Sequence, residues 1–201
     1  MAKYDTIRKK LKTGDVVLFS GKGAISHGIK LFTFSKWSHV GMVLKLPDTD
    51  TDTVFLWEST TLSNLADAID GKTKKGVQLV LLSDRIRTYD GETCVRHLQG
   101  FQVDNAKYEK LMALRKTLRN KPYEKDQIEL IKSAYDGPWG HNEEDLSSLF
   151  CSELVAEAYQ CLGLISNKVS SNEFTPKNFA EGDGLKLGLG ATLSKEVVLS
   201  V

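Results

Sequence analysis

The spacing of apolar residues changes once along this chain, and that change limits the architecture more than any other feature. Up to Leu98 the apolar positions fall in short runs and alternations with the period of two that suits strands. From Asn105 the period becomes 3.6. Tyr108, Leu111, Met112, Leu114, Arg115 and Leu118 recur at helical spacing, with Asp104 or Asn105 placed to cap the helix. The strand series comprises Val16–Phe19 after a Gly14-Asp15 turn, Ser38–Lys45, Thr53–Ser59, Val77–Leu82 and Thr93–Leu98, with Asp90-Gly91 as the turn between the last two. Short helices are expected over Ile7–Leu11 and Ala24–Phe34. Asn120–Pro122 ends the long helix, Asp126–Ala134 is a weaker one, and Asp136–Gly140 is a breaker run. A second strong helix covers Leu149–Leu162, and Thr175-Pro176 starts a short one. Gly182–Gly190 reads as a mobile loop before a last strand around Val197–Leu199. Early strands followed by late helices describe an α+β domain.

At 201 residues, 41% hydrophobic and 26% charged, the chain suits one domain, 1–201, whose core needs no disulfide or metal. A net charge of +1 gives no basic excess, so no nucleic-acid partner is expected. The three cysteines include no C-x-x-C pair, which argues against a disulfide framework or a thiolate zinc site. Met1–Asp15 lacks the apolar stretch of a signal peptide, and no window reaches about 18 apolar residues. A cytoplasmic protein without an integral membrane segment is expected. The oligomeric state is not legible.

Three residues carry the chemistry. Cys151 opens the second strong helix, with Ser147 or Ser148 placed to cap it, and shares one face with Leu154, Val155, Ala158 and Leu162. In a first turn the macrodipole and the unpaired N–H groups favour a thiolate. A helix cysteine taken alone is more often a small buried hydrophobe. His39 starts an otherwise apolar strand, sharing a side with Gly41 and Val43, and reads either as a hydrogen-bonded structural residue or as a general base. Glu58 ends the next strand on the side of Val54 and Leu56. If the two strands are neighbours, Glu58 can orient the second ring nitrogen of His39. Glu58→Gln should then keep the fold and lose rate.

In combination these residues are far more specific. Gly14-Asp15-Val16-Val17-Leu18-Phe19, then Ser38-His39-Val40-Gly41-Met42-Val43, then Trp57-Glu58, then Phe150-Cys151-Ser152-Glu153-Leu154-Val155 resembles the circularly permuted NlpC-type papain-like hydrolases, in their YiiX-like branch. That group is related to lecithin–retinol acyltransferase-type enzymes and a poxvirus protein. Lys121-Pro122-Tyr123 and Phe174-Thr175-Pro176 also look like the family, and the resemblance spans about 14–179. It implies a permuted papain-like fold, a small antiparallel sheet packed on the cysteine helix. It implies Cys151 as nucleophile, His39 as general base and Glu58 as orienting acid. The Cys151 backbone N–H would be one oxyanion donor, and Tyr123 would sit near the oxyanion or shape the pocket. A thiolate needs an adjacent imidazole whose tautomer is fixed by a third group, so the resemblance agrees with the chemistry of the residues.

The expected reaction is hydrolysis of an amide or peptide bond, including cell-wall-type peptides, through an acyl-enzyme. Its rivals are a lipid acylhydrolase or acyltransferase of the lecithin–retinol type, and a binding or virion-associated module without turnover. The partner is thus a peptide-like or acyl-lipid substrate; no cofactor and no metal are expected. No second histidine or cysteine has spacing to complete a zinc site with Cys151, His39 and Glu58. His27 is expected at the surface or rim, His97 receives no role, and His141 lies in a polar acidic loop. Cys94 and Cys161 read as buried structural thiols. Gly21-Lys22-Gly23 is a lone glycine turn and no phosphate loop.

Overall fold

The computed structural model describes residues 2–22, 26, 30, 34–60, 62–119 and 147–200, with only the backbone of 147–150. The chain opens with β1 (Ala2–Lys3), α1 (Tyr4–Ile7) and a 3-10 turn over Arg8–Lys10. Four strands follow: β2 (Val16–Gly21), β3 (His39–Leu44), β4 (Phe55–Thr60) and β5 (Gly76–Leu81). After α2 (Leu82–Thr88) come β6 (Gly91–Arg96), β7 (Leu98–Gln99) and α3 (Asn105–Arg119). The C-terminal part holds α4 (Ser147–Cys161), a 3-10 turn over Pro176–Phe179, β8 (Thr192–Leu193) and β9 (Val197–Ser200). The strands and the two long helices stand where the spacing of apolar residues places them, and the whole is α+β.

The main sheet has the order β1-β9-β6-β2-β3-β4-β5, and β7 pairs with β8 in a separate ribbon. Its neighbours are antiparallel apart from the terminal β1–β9 pair, which is parallel. The sheet is therefore larger than the small one expected. Every residue of β2, β3 and β4 is buried, so the central strands have apolar runs because both faces are covered. One face, with Val40, Met42 and Trp57, packs on Leu154, Val155 and Ala158 of α4. The other, with Val17, Phe19, Val43 and Leu56, packs beneath Leu82 and Ile86 of α2.

Three expectations change. Asp90-Gly91 is no simple turn between strands, because α2 lies between β5 and β6. With only seven residues, α2 shows too little periodicity to read. Strand Thr93–Leu98 breaks at His97, where the chain leaves the main sheet for the β7–β8 ribbon. Gly182–Gly190 forms no strand or helix, yet it is fastened: Leu185 and Leu187 pack on the core and the Gly188 N–H donates to Leu164 O at 2.8 Å. Asp104 does cap α3, accepting from Lys107 N–H at 2.9 Å. Of the Ala24–Phe34 helix only positions 26, 30 and 34 are described. The Asp126–Ala134 helix, the Asp136–Gly140 run and the side chains of Ser147 and Ser148 lie outside the described residues.

Candidate active site

His39 is the first residue of β3 and pairs in register with Phe19 of β2. Glu58 lies on the adjacent antiparallel strand β4, so the neighbour relation that the triad needs is present. The imidazole Nε2 donates to Glu58 Oε2 at 2.7 Å, and both side chains are buried. Between them, on the same face, is Gly41. A Cβ there would lie 2.7 Å from Leu56 Cδ1 and 3.2 Å from Glu58 Cβ, so glycine leaves room for the carboxylate to reach the ring.

His39 also interacts with Cys151, whose hydrogen bond and charge both push the imidazole pKa up. With Nε2 committed to Glu58, Nδ1 is the ring nitrogen left for the sulfur. Cys151 is fully buried at the start of the packed face of α4, as its spacing with Leu154, Val155 and Ala158 requires. One point is corrected. The helix begins at Ser147, two residues before Leu149, so Cys151 is its fifth residue and stands outside the first turn. The macrodipole fades beyond the first turn, so the helix end acts less on this sulfur than the sequence suggests. Serines that read as caps are instead helical, which is why the sequence misplaces the boundary.

Glu58 is the centre of a buried polar cluster that sequence reasoning missed. Its Oε1 accepts from Arg85 Nε at 2.8 Å, from Arg85 Nη2 at 2.6 Å and from Gln78 Nε2 at 2.9 Å. Arg85 is fully buried on α2 and also donates from Nη1 to Asn64 Oδ1 at 2.9 Å. Two signals existed in the sequence. Gln78 is a polar residue inside the apolar run Val77–Leu82, and Arg85 sits on the apolar side of α2 with Leu82 and Ile86. Both look like exceptions to patterning until a carboxylate is found opposite them.

The electrostatics follow from these contacts. Burial pulls the His39 imidazolium down, but the charge and hydrogen bond of Cys151, then those of Glu58, outweigh it and raise the pKa from 6.5 to about 9. Burial pushes Glu58 up, but the His39 hydrogen bond, the Arg85 charge and the remaining donors hold it at about 2, below its ordinary 4.5. The raised histidine stabilises the fold fully below 6.5 and loses that contribution as the pH rises through about 9. The depressed carboxylate stabilises it fully above 4.5 and loses that contribution as the pH falls toward about 2. A Tm–pH profile should therefore be highest between about 4.5 and 6.5 for this pair and decline on the alkaline side toward 9. In His39→Gln the alkaline decline should shrink; an unchanged profile would detach the histidine from this charge balance.

The remaining candidates stand elsewhere. His97 Nδ1 bonds to buried Asp15 Oδ2 at 2.8 Å, and the Leu98 N–H donates to Asp15 Oδ1 at 2.9 Å, which fastens β7 to the loop before β2. Cys94 is buried as expected, and burial pushes its thiol far up. Cys161 is only half-buried, a correction to its reading as a core thiol: it closes α4 outside the packed stripe. Tyr123, His27 and His141 lie outside the described residues. Among the described residues no cluster of three or more His, Cys, Asp or Glu could hold a metal ion. No helix among them is long and apolar enough to cross a membrane.

Comparison with known proteins supplies the family. No curated protein matches the chain significantly. Among solved structures, metalloprotein yiiX from Escherichia coli O157:H7 aligns over 94% of this chain and 96% of its own, at 18% identity and a TM-score of 0.49. Residues 10–200 match the family model described as permuted papain-like amidase enzyme, YaeF/YiiX, C92 family. With nearly the whole chain matched, the protein belongs to the permuted papain-like amidases and is a cysteine hydrolase of amide bonds.

Proposed function

We propose that the protein hydrolyses a peptide-like amide through Cys151, His39 and Glu58. The observation that carries this is one buried imidazole held between a carboxylate at 2.7 Å and a cysteine sulfur. The sulfur attacks the amide carbonyl carbon, forming a C–S bond and a tetrahedral oxyanion. The His39 imidazolium gives its proton to the leaving nitrogen as the C–N bond breaks, which leaves a thioester on Cys151. Neutral His39 then takes a proton from water, the hydroxide oxygen bonds to the acyl carbon, and the C–S bond breaks. The products are a carboxylic acid, an amine and the restored thiolate–imidazolium pair. Glu58 keeps the Nε2–H in place throughout, so Nδ1 is always the nitrogen that exchanges protons with sulfur and substrate.

The same arrangement makes Cys151 the reactive thiol of the three. At neutral pH, limiting iodoacetamide should alkylate it at least about tenfold faster than Cys94 or Cys161, because a thiolate is the attacking species and burial raises both other thiols. Peptide mapping by mass spectrometry reads the ratio, and equal labelling of the three in the native protein would remove the nucleophile. Release of amine from a peptide-amide library, lost after that labelling, tests the reaction itself. Turnover of phospholipid vesicles with none of peptides would move the substrate to the acyl-lipid class.

A further inference from the structure

Glu58 divides its hydrogen bonds unevenly between its two oxygens. Oε1 accepts from Arg85 Nε at 2.8 Å, from Arg85 Nη2 at 2.6 Å and from Gln78 Nε2 at 2.9 Å. Among the described residues Oε2 accepts only from His39 Nε2, at 2.7 Å. An arginine facing a carboxylate commonly takes both oxygens with two parallel N–H groups. Here both N–H groups of Arg85 lie on one oxygen, and the other is left to the imidazole. The far end of the guanidinium is tied as well, since Nη1 donates to Asn64 Oδ1 at 2.9 Å.

Gln78 stands directly opposite Glu58 in the β4–β5 pairing, so the two side chains share one face of the sheet. It is buried, although β5 is an edge strand. Its Nε2 donates to Glu58, while its own Oε1 has no hydrogen-bond partner among the described residues. The reverse orientation of the amide would set an oxygen against a carboxylate, so the donor has to face Glu58. A buried glutamine that served the fold alone would have both ends paired. This one leaves its acceptor unpaired and directs its donor to a single carboxylate oxygen.

We propose that Gln78 is a positioning residue for the Glu58–His39 pair: its amide fills Oε1, keeps Arg85 on that oxygen, and so aims Oε2 at His39 Nε2. This rests on the reading of Cys151, His39 and Glu58 as the reacting site. Without the Gln78 donor the carboxylate is free to turn about its Cγ–Cδ bond until Arg85 takes both oxygens, in competition with the imidazole. Removing the amide has two effects of opposite sign on His39. Loss of the positive N–H end alone leaves Glu58 a stronger negative neighbour and raises the histidine pKa. Loss of aim lengthens the Nε2–H···Oε2 bond and lowers it. The direction of the shift separates the two.

Titration of the four histidines in the full chain by proton–nitrogen NMR reads this without a substrate, with His39 assigned by its loss in His39→Gln. Gln78→Met keeps the length of the side chain and removes the amide. The His39 midpoint should fall by about one pH unit, a tenfold weaker hold on the proton, and its Nε2–H resonance should move upfield. Gln78→Glu is the rescue. Two facing carboxyl groups share one proton, and Arg85 keeps the charge on Glu58, so an acid O–H again donates to Oε1 and the midpoint should return toward wild type. The Tm, measured alongside, separates a shifted histidine from a looser protein, because a residue serving only the fold would lower Tm and leave the midpoint in place. An unchanged or raised midpoint in Gln78→Met overturns the proposal, and so does a midpoint that falls equally in Gln78→Glu. A wild-type Cys151 that labels no faster than Cys94 overturns the reacting site instead, and the two failures are distinct.

Discussion

Cys151→Ala is expected to abolish amide turnover while leaving the protein folded. The proposed acyl-enzyme requires a nucleophilic sulfur at that position, and alanine supplies none. Loss of the nucleophile from a serine hydrolase triad costs about 2 × 10⁶ in kcat, and a fall of about 10⁴ or more is expected here. The fold should lose little. One buried sulfur is removed from a packed helix face, a change of about 1 kcal/mol, and Cys151→Ser reduces even that by keeping the volume. The measurement is kcat on a cleavable peptide amide, with Tm for the same preparations. A folded Cys151→Ala enzyme that retains turnover would transfer the chemistry to another group.

Glu58→Gln should destabilise the protein by about 3–5 kcal/mol, the usual cost of breaking a buried ion pair. The sequence alone suggests a change that spares the fold, because an amide has the shape of a carboxylate. The structure reverses that expectation. Arg85 is fully buried and directs two donors at Glu58 Oε1, so a neutral amide leaves a guanidinium without its counter-charge. Arg85→Met should be comparably costly, since it strands the carboxylate. Glu58→Gln combined with Arg85→Met should recover part of the loss, because neither charge is then left alone. Urea unfolding at neutral pH for the two single variants and the double one measures this. Midpoints equal to wild type in both singles would mean that the pair contributes nothing to the fold. Turnover should remain depressed in the double variant even where stability returns, because His39 still lacks a negative partner to fix its tautomer, and the comparable change in serine proteases costs about 10⁴ in kcat.

The proposed thiol and its proposed base could be picked out in the sequence because the features that mark them are local. A cysteine near the start of an amphipathic helix and a histidine at the head of an apolar strand are visible in the spacing of their neighbours. Their order along the chain, histidine strand before cysteine helix, is what carries the resemblance to the permuted papain-like hydrolases. Glu58 is legible for a related reason: its alternation with Val54 and Leu56 gives the side of the strand it occupies, and the antiparallel pairing with β3 supplies the rest. The main strands and both long helices follow from the change of period at Asn105, because burial of one face or two is written directly into a repeating pattern.

What the sequence could not supply is the identity of partners that meet only across the sheet. Arg85 comes from a helix too short to announce itself, and Gln78 from a strand whose other residues are apolar. Each is unintelligible until the pairing of β4 with β5 and the return of α2 bring both to Glu58. Local sequence determined which residues can do the chemistry and on which kind of element each stands. Tertiary structure decided which charges are buried together. The interaction of two charges depends on their separation and on the solvent excluded around them, and neither is set by distance along the chain.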